Sequence, residues 1–359
     1  MNSLLQANQI GQSLWIDNLS RTLLREGTLK QLIEEDGISG VTSNPTIFQK
    51  ALAESPYYRE ELEKLESSDL SPLQRYETLV VPDIQEACDL LRPVFDRTGG
   101  NTGYVSLEVP PALAHDEEGT VQEALRLSGI VDRINLLVKV PSTPEGIKAF
   151  ERLIAQGVNI NVTLMFSLQH ELHVAQAYIR GAQKWVETGG DPGRLKSVAS
   201  IFLSRVDTLV DKKLEQIGSE SALELRGKTA LALAKLTYQR YREFFHGNQF
   251  ADLASKGVRP QYPLWASTST KNPNYSDILY VEPLIGPETV NTLPDNTITA
   301  FRDHGKAADT LSNDVIQAQT HFIDLEKLGI DMQEVGEQLQ REGVKSFADS
   351  FDKLLSQVA

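Results

Sequence analysis

Leu136-Leu-Val-Lys-Val-Pro141 and Ile160-Asn-Val-Thr-Leu-Met165 are the stretches on which the fold turns. Both are short and apolar through most of their length rather than strictly alternating. That is the pattern of a strand covered on both faces, as in a parallel sheet. The chain between them reads as an amphipathic helix with legible ends. Thr143 can cap it, Pro144 takes the first helical position, and Gly157 follows the last turn. Between those ends Ile147, Phe150, Leu153 and Ile154 fall on one face.

The same grammar repeats in both directions. Ser-Leu-Trp-Ile-Asp (13–17), Gly-Val-Thr-Ser-Asn (40–44), Tyr-Val-Ser-Leu-Glu-Val (104–109), Val-Ala-Ser-Ile-Phe-Leu (198–203), Pro-Leu-Trp-Ala-Ser-Thr (263–268) and Ile-Leu-Tyr-Val-Glu-Pro-Leu (278–284) are further candidate strands. Ser167 can cap a helix with Leu168, Leu172, Ala175, Tyr178, Ile179 and Trp185 as apolar positions. Thr28 to Asp36 reads as a short helix stopped by Gly37, and 221–245 and roughly 330–357 as long helices. Eight β runs with helices between them predict a closed (β/α)8 TIM barrel, with a doubly wound open sheet as runner-up. The 359 residues exceed the ~250 of a plain barrel. The expectation is therefore a single domain over 1–359, with helical insertions near 48–100 and 221–260 and C-terminal helices near 306–359.

Composition sets the outer limits. Hydrophobic residues are 40% and charged residues 23%, the balance of a soluble globular chain. Lys and Arg number 35 against 49 Asp and Glu, a net charge of −14, which argues against nucleic acid or an anionic membrane as partner. Cys88 is the one cysteine, so an internal disulfide and a cysteine-based zinc cluster are excluded. No run of ~18 apolar residues suggests a membrane span. The N-terminal residues lack a signal-peptide pattern, so the expected location is the cytoplasm. Monomer and homodimer are equally compatible with the sequence.

In such a barrel, chemistry gathers at the C-terminal ends of the strands. The polar residues that interrupt or close the apolar runs are therefore the candidates. Lys139 sits inside an apolar strand. Burial disfavours a lysine's charged form, and the neutral amine can attack a carbonyl to form a Schiff base. The bland alternative is a stem that snorkels to water. Asp17 and Glu108 each close a strand and can serve the proton transfers that Schiff-base chemistry requires. Asp17 could instead cap a following helix. Asn161 and Thr163, two apart, share a strand face and suit substrate hydroxyls or a positioned water. Ser200 and Arg205 follow on the sixth run. Ser267 to Lys271 is hydroxyl-rich and ends in a cation, a composition that suits phosphate, or else a solvated loop.

Other signals fail. No Walker A or dinucleotide fingerprint is present, and His170 and His173 are too close for the zinc-protease motif and read as a solvated pair. Cys88 reads as buried packing. The residues indicate no metal and no organic cofactor.

Gly-Val-Thr-Ser-Asn-Pro-Thr-Ile-Phe (40–48), Leu-Val-Lys-Val-Pro (137–141), Ile-Asn-Val-Thr-Leu-Met-Phe-Ser (160–167) and Trp-Ala-Ser-Thr-Ser-Thr-Lys-Asn (265–272) together resemble the transaldolase family, in order, from about Asp17 to Glu282. The stretches at 42–48 and 267–272 look like a bacterial subgroup. The resemblance implies a cofactor-free class I mechanism in the non-oxidative pentose phosphate pathway. A dihydroxyacetone unit passes from sedoheptulose 7-phosphate or fructose 6-phosphate to glyceraldehyde 3-phosphate or erythrose 4-phosphate. By that likeness Lys139 is the Schiff-base lysine, Glu108 the acid/base acting through a water also held by Thr163, and Asp17 the base for C–C cleavage. Thr42, Asn44, Asn161, Ser200, Phe202 and Ser267 would line the substrate, and Arg205 with Lys271 the phosphate. Two rivals stand beside this reading. One is an aldolase of the fructose-6-phosphate type, in which a glutamine and a tyrosine replace the positions of Glu108 and Phe202. The other is a barrel that binds a sugar phosphate without turning it over.

Overall fold

The computed structural model describes residues 2–359. Eight short strands run parallel: β1 (Gln12–Ile16), β2 (Gly40–Thr42), β3 (Tyr104–Glu108), β4 (Leu136–Pro141), β5 (Ile160–Met165), β6 (Ser197–Phe202), β7 (Tyr262–Ala266) and β8 (Thr289–Leu293). Each pairs with the next, and β8 returns to β1, so the sheet closes into a barrel in sequence order. Closure leaves no free edge, and the helices that cover the outside explain why β4, β5 and β6 are buried at every position. Among the described residues no helix is long and apolar enough to cross a membrane.

The expected helix caps are present. Thr143 accepts from the Gly146 N–H at 3.0 Å at the start of Pro144–Ile154. Ser167 caps Leu168–Glu187. Asp17 is not a cap: the next helix, Arg21–Arg25, is capped by Ser20, whose Oγ accepts from the Leu23 N–H. The second run ends at Thr42 because Asn44 turns to cap Pro45–Glu54, accepting from the Ile47 N–H at 3.0 Å.

Two expectations need correction. The run at 278–284 is not the eighth strand. It belongs to the β7–β8 connection and ends in a 3-10 turn at Glu282–Leu284. Its apolar residues Ile278, Tyr280, Val281 and Leu284 are buried, which is why it mimics a strand. Its carbonyls, however, receive side chains instead of a ladder: Gln12 and the Trp265 indole donate to Leu284 O, and Asn291 donates to Tyr280 O. The true β8, Thr-Val-Asn-Thr-Leu, is masked by polar residues whose donors are satisfied internally, as Thr292 Oγ1 is by Trp265 O at 2.9 Å. The helix expected over 221–245 is two, Glu220–Leu223 and Thr229–Phe245. Gly227 breaks it with φ +69°, and its N–H donates to Asp211. A Cβ there would also meet the Tyr275 ring at 2.8 Å.

The floor of the barrel, at the N-terminal ends of the strands, is filled by large side chains. Trp15 lies over Gly40 so closely that a Cβ on that glycine would fall 2.4 Å from the indole. Tyr104 and Lys196 are also fully buried, with the Lys196 Nζ 3.6 Å from the Tyr262 ring centroid. The opposite end is covered in part by the C-terminal helix, Met332–Gln357. Gly336, Gln340, Gly343 and Phe347 recur at helical spacing and share the face that docks on the barrel. Gln340 donates to Ser142 O (3.0 Å), Ser142 Oγ (2.8 Å) and Leu164 O (3.3 Å), tying the ends of β4 and β5 together.

Two stability predictions follow from this packing. Gln340→Ala removes the side-chain donor to Ser142 O while Leu164 O keeps the Ser142 hydroxyl, and the expected loss is ~1–3 kcal/mol in urea denaturation with an unchanged m-value. Glu171, on Leu168–Glu187, is buried with Oε2 unpartnered, and burial pushes its carboxyl up to about 8. Its protonated form is therefore favoured by folding. That stabilisation is present below the ordinary glutamate value and is lost as pH rises toward 8. Glu171→Gln is expected to flatten a decline of ~2–4 kcal/mol in unfolding free energy between about pH 5 and pH 8. An unchanged pH slope would refute the assignment.

Candidate functional site

Register assembles the site. Glu108 is the Cα partner of Lys139, and Lys139 of Asn161, so all three project from one face of adjacent strands. The Lys139 Nζ lies 3.0 Å from Glu108 Oε2, and both side chains are almost wholly buried, at 4% and 6% exposed. Nζ also donates to Ser43 O at 2.9 Å. The approach to Glu108 Oε2 is an ion-pair contact outside hydrogen-bond geometry, so that oxygen retains an unmet lone pair. Thr163 Oγ1 is likewise buried with no partner. In one short arc of the barrel, an acceptor on Glu108 and a hydroxyl on Thr163 that can donate or accept are groups a bound water could satisfy.

Burial raises the Glu108 carboxyl above the usual range, against the pull of Lys139 and Arg205. Asp17, just past β1, is raised by burial too, with Asp295 adding to it and Lys139, the Thr42 hydroxyl and Lys271 opposing it. Thr42 Oγ1 donates to Asp17 Oδ1 at 3.4 Å. Both carboxyls are thus better bases than exposed acids.

The polar lining is a connected network. Asn161 Nδ2 donates to Ser106 Oγ at 3.1 Å, and Ser200 Oγ donates to Asn161 Oδ1 at 2.7 Å. Phe202 packs on Phe166 at 5.2 Å between centroids. Asn44 spends its oxygen on the helix cap, leaving its amide nitrogen for other work. Leu164 and Ser267, at the ends of β5 and β7, carry φ of +60° and +55°, backbone that a residue with a side chain adopts only under constraint. The Ser267 and Ser204 hydroxyls are 2.8 Å apart.

The two cations have different surroundings. Lys271 is exposed and lines an outer recess with Asp207, Asp211 and Tyr275. Arg205 is half-buried, with its guanidinium carbon 5.5 Å from the Phe202 ring centroid and 5.7 Å from that of Phe347. Burial lowers its hold on its proton, against Glu108 and Glu342.

Several contributors escaped the sequence reading. Ser106 lies two residues before Glu108 and so shares its strand face, a period-2 signal that was available. Ser43 stands inside the 40–44 run, but its part is played by a backbone carbonyl, which residue type does not signal; Gln340 and Phe347 reach the site only through tertiary packing. His170 is corrected: it is buried, accepts from the Phe166 N–H at 3.2 Å, and is pushed down to about 4 by burial, so only His173 is exposed. Lys196 is a second buried lysine. Burial, with Arg259 nearby, pushes it down to about 7, but it lies on the barrel floor with no carboxylate in ion-pair contact among the described residues.

The family model of transaldolase/fructose-6-phosphate aldolase matches residues 14–358. The chain belongs to this family. A transaldolase of Thiobacillus denitrificans is 55% identical, with both chains covered in full. Transaldolases of Neisseria gonorrhoeae (45%; 99% of each chain) and Nostoc punctiforme (a "transaldolase 2", 43%; 99% and 96%) are similar over comparable lengths. The transaldolase/aldolase match therefore takes in every strand of the barrel except the first two residues of β1, and reaches to the end of the C-terminal helix.

Thr163 offers a clean test of a site hydroxyl that contributes nothing to the fold. Thr163→Val exchanges an unpartnered buried hydroxyl for a methyl group of the same shape. Unfolding free energy is expected to hold or rise by up to ~1 kcal/mol. A loss of 2 kcal/mol or more in denaturant melts would mean that the hydroxyl is paired in solution by the protein itself.

Proposed function

We propose that this chain works as a transaldolase through a Schiff base on Lys139, and the observation that carries the reading is the Lys139–Glu108 contact of 3.0 Å inside the barrel. Glu108, made more basic by burial, can take a proton from the ammonium and leave a neutral amine. The amine attacks C2 of a ketose phosphate, giving a carbinolamine. Glu108 returns the proton through a water shared with Thr163, and hydroxide leaves as water to give the imine. Asp17 takes the proton of the C4 hydroxyl while the C3–C4 bond breaks. The aldose departs and an enamine remains on Lys139. An incoming aldose phosphate accepts the enamine carbon, its new alkoxide recovers the proton from Asp17, and water releases the product ketose.

The lining supports the remaining assignments. The Ser106–Asn161–Ser200 network, Thr42 and Asn44 suit the hydroxyls of a dihydroxyacetone unit, with Phe202 as an apolar wall. Arg205 is the cation under cover of the barrel mouth and suits the phosphate. Lys271, with Ser267, would meet a phosphate from the loop after β7. Sugar phosphates are soluble metabolites, which fits a cytoplasmic setting in the non-oxidative pentose phosphate pathway. A buried acid–base set that keeps the enamine from water favours transfer over release.

Borohydride reduction in the presence of fructose 6-phosphate, followed by mass mapping, is expected to label Lys139. A label on Lys196 instead, or none, would overturn the assignment. Lys139→Met is expected to keep the fold and lose more than ~1,000-fold in turnover. Thr163→Val is expected to lose ~100-fold. Rapid stoichiometric release of free dihydroxyacetone without an acceptor would favour the aldolase reading.

A further inference from the structure

The geometry points to Phe347, on the C-terminal helix, as a positioning residue that sets phosphate specificity by holding the Arg205 guanidinium against Phe202. This inference rests on Arg205 as the phosphate cation. Arg205 follows β6 at the start of Ser204–Ile217. Its long side chain would be free to swing toward Glu108 or Glu342, the two acids whose charges act on it. It makes no ion pair or hydrogen bond among the described residues. What flanks it is aromatic: Phe202 at 5.5 Å and Phe347 at 5.7 Å.

A guanidinium packed beside two rings and free of acceptor side chains keeps its N–H donors for a ligand, and a phosphate can take two of them at once. Held that way, it loses less rotamer freedom when the ligand arrives, and affinity gains accordingly. The helix is built to sit this close. Gly343, one turn before Phe347, has Leu164 at 3.0 Å and Arg205 Nη1 at 3.5 Å from where a Cβ would stand, so a Cβ would crowd Leu164 and sit in ordinary contact with the guanidinium. Gln340 fixes the same face to the ends of β4 and β5. Phe347 is 3% exposed, so its ring has little room to leave the guanidinium. The C-terminal helix therefore contributes to recognition of the phosphate, although it carries none of the residues assigned to the chemistry.

Phe347→Leu tests this, with Phe347→Met as a second variant that keeps more volume and lacks the ring. KM for fructose 6-phosphate is expected to rise at least 5-fold with kcat within 2-fold. The inhibition constant of inorganic phosphate should rise by the same factor. Borohydride trapping of dihydroxyacetone, which has no phosphate, should proceed at the parent rate. Leu354→Ala, buried on the same helix away from Arg205, controls for loosened packing and should move none of the three. Arg205→Gln separates the two layers. If it raises KM and the phosphate constant while the Phe347 variants leave both unchanged, the inference fails and the Arg205 assignment stands. If Arg205→Gln changes neither, the assignment falls and the inference with it. Parallel losses in phosphate affinity and dihydroxyacetone trapping, in the Phe347 variants or in Leu354→Ala, would mark a merely structural role.

Discussion

A lysine ammonium and a glutamate carboxylate, side by side on adjacent parallel strands and removed from water, are the constraint around which this molecule is arranged. Removing two charges from water costs several kcal/mol per ion, and breaking one partner out of such a pair leaves the other stranded. The barrel meets that cost locally. Ser43 gives its carbonyl to Lys139, and the strand register fixes the spacing of the two charges so that neither has to search for the other. The strands that carry the two charges thus set their spacing, and a fixed spacing is what aligned chemistry needs.

The neighbouring polar residues extend the same logic. Asn161 is held from both sides, by Ser106 and Ser200, so each amide atom has a defined partner before any ligand arrives. Against this satisfied network, the orphaned oxygens of Glu108 and Thr163 stand out. Other buried polar atoms, such as Glu171 Oε2 and Thr237 Oγ1, are also unpartnered, but these two face the same arc of the barrel as Lys139. Strained backbone at Leu164 and Ser267 tells the same story at the rims of β5 and β7.

Much of this was legible in the chain because parallel strands speak plainly. Lys139, Asn161 and Thr163 stand out within apolar runs, and Glu108 closes one; a two-residue period places them on a common face. Seven of the eight expected runs overlap strands. The eighth misled for a physical reason: Ile278 to Leu284 is buried as a loop, and burial alone gives a loop the apolar signature of a strand, while Asn291 and Thr292 disguise the real one. Gly227 broke a helix through a left-handed turn that apolar periodicity does not register. Phe347 and Gln340 could not have been found, since they lie far along the chain from the strands they touch and carry only the pattern of an ordinary amphipathic helix.

The crowded floor has a bearing on traffic. With Trp15, Tyr104 and Lys196 filling the lower end and Gly40 surrendering its side chain to let the indole seat, a sugar phosphate bound at Lys139 would use the mouth at the strand ends. Whatever leaves must go out the way its successor comes in. Two sugars cannot queue from opposite sides, so the first fragment has to vacate before the second is admitted. For the proposed transfer, ping-pong order would then follow from plumbing as much as from covalent chemistry.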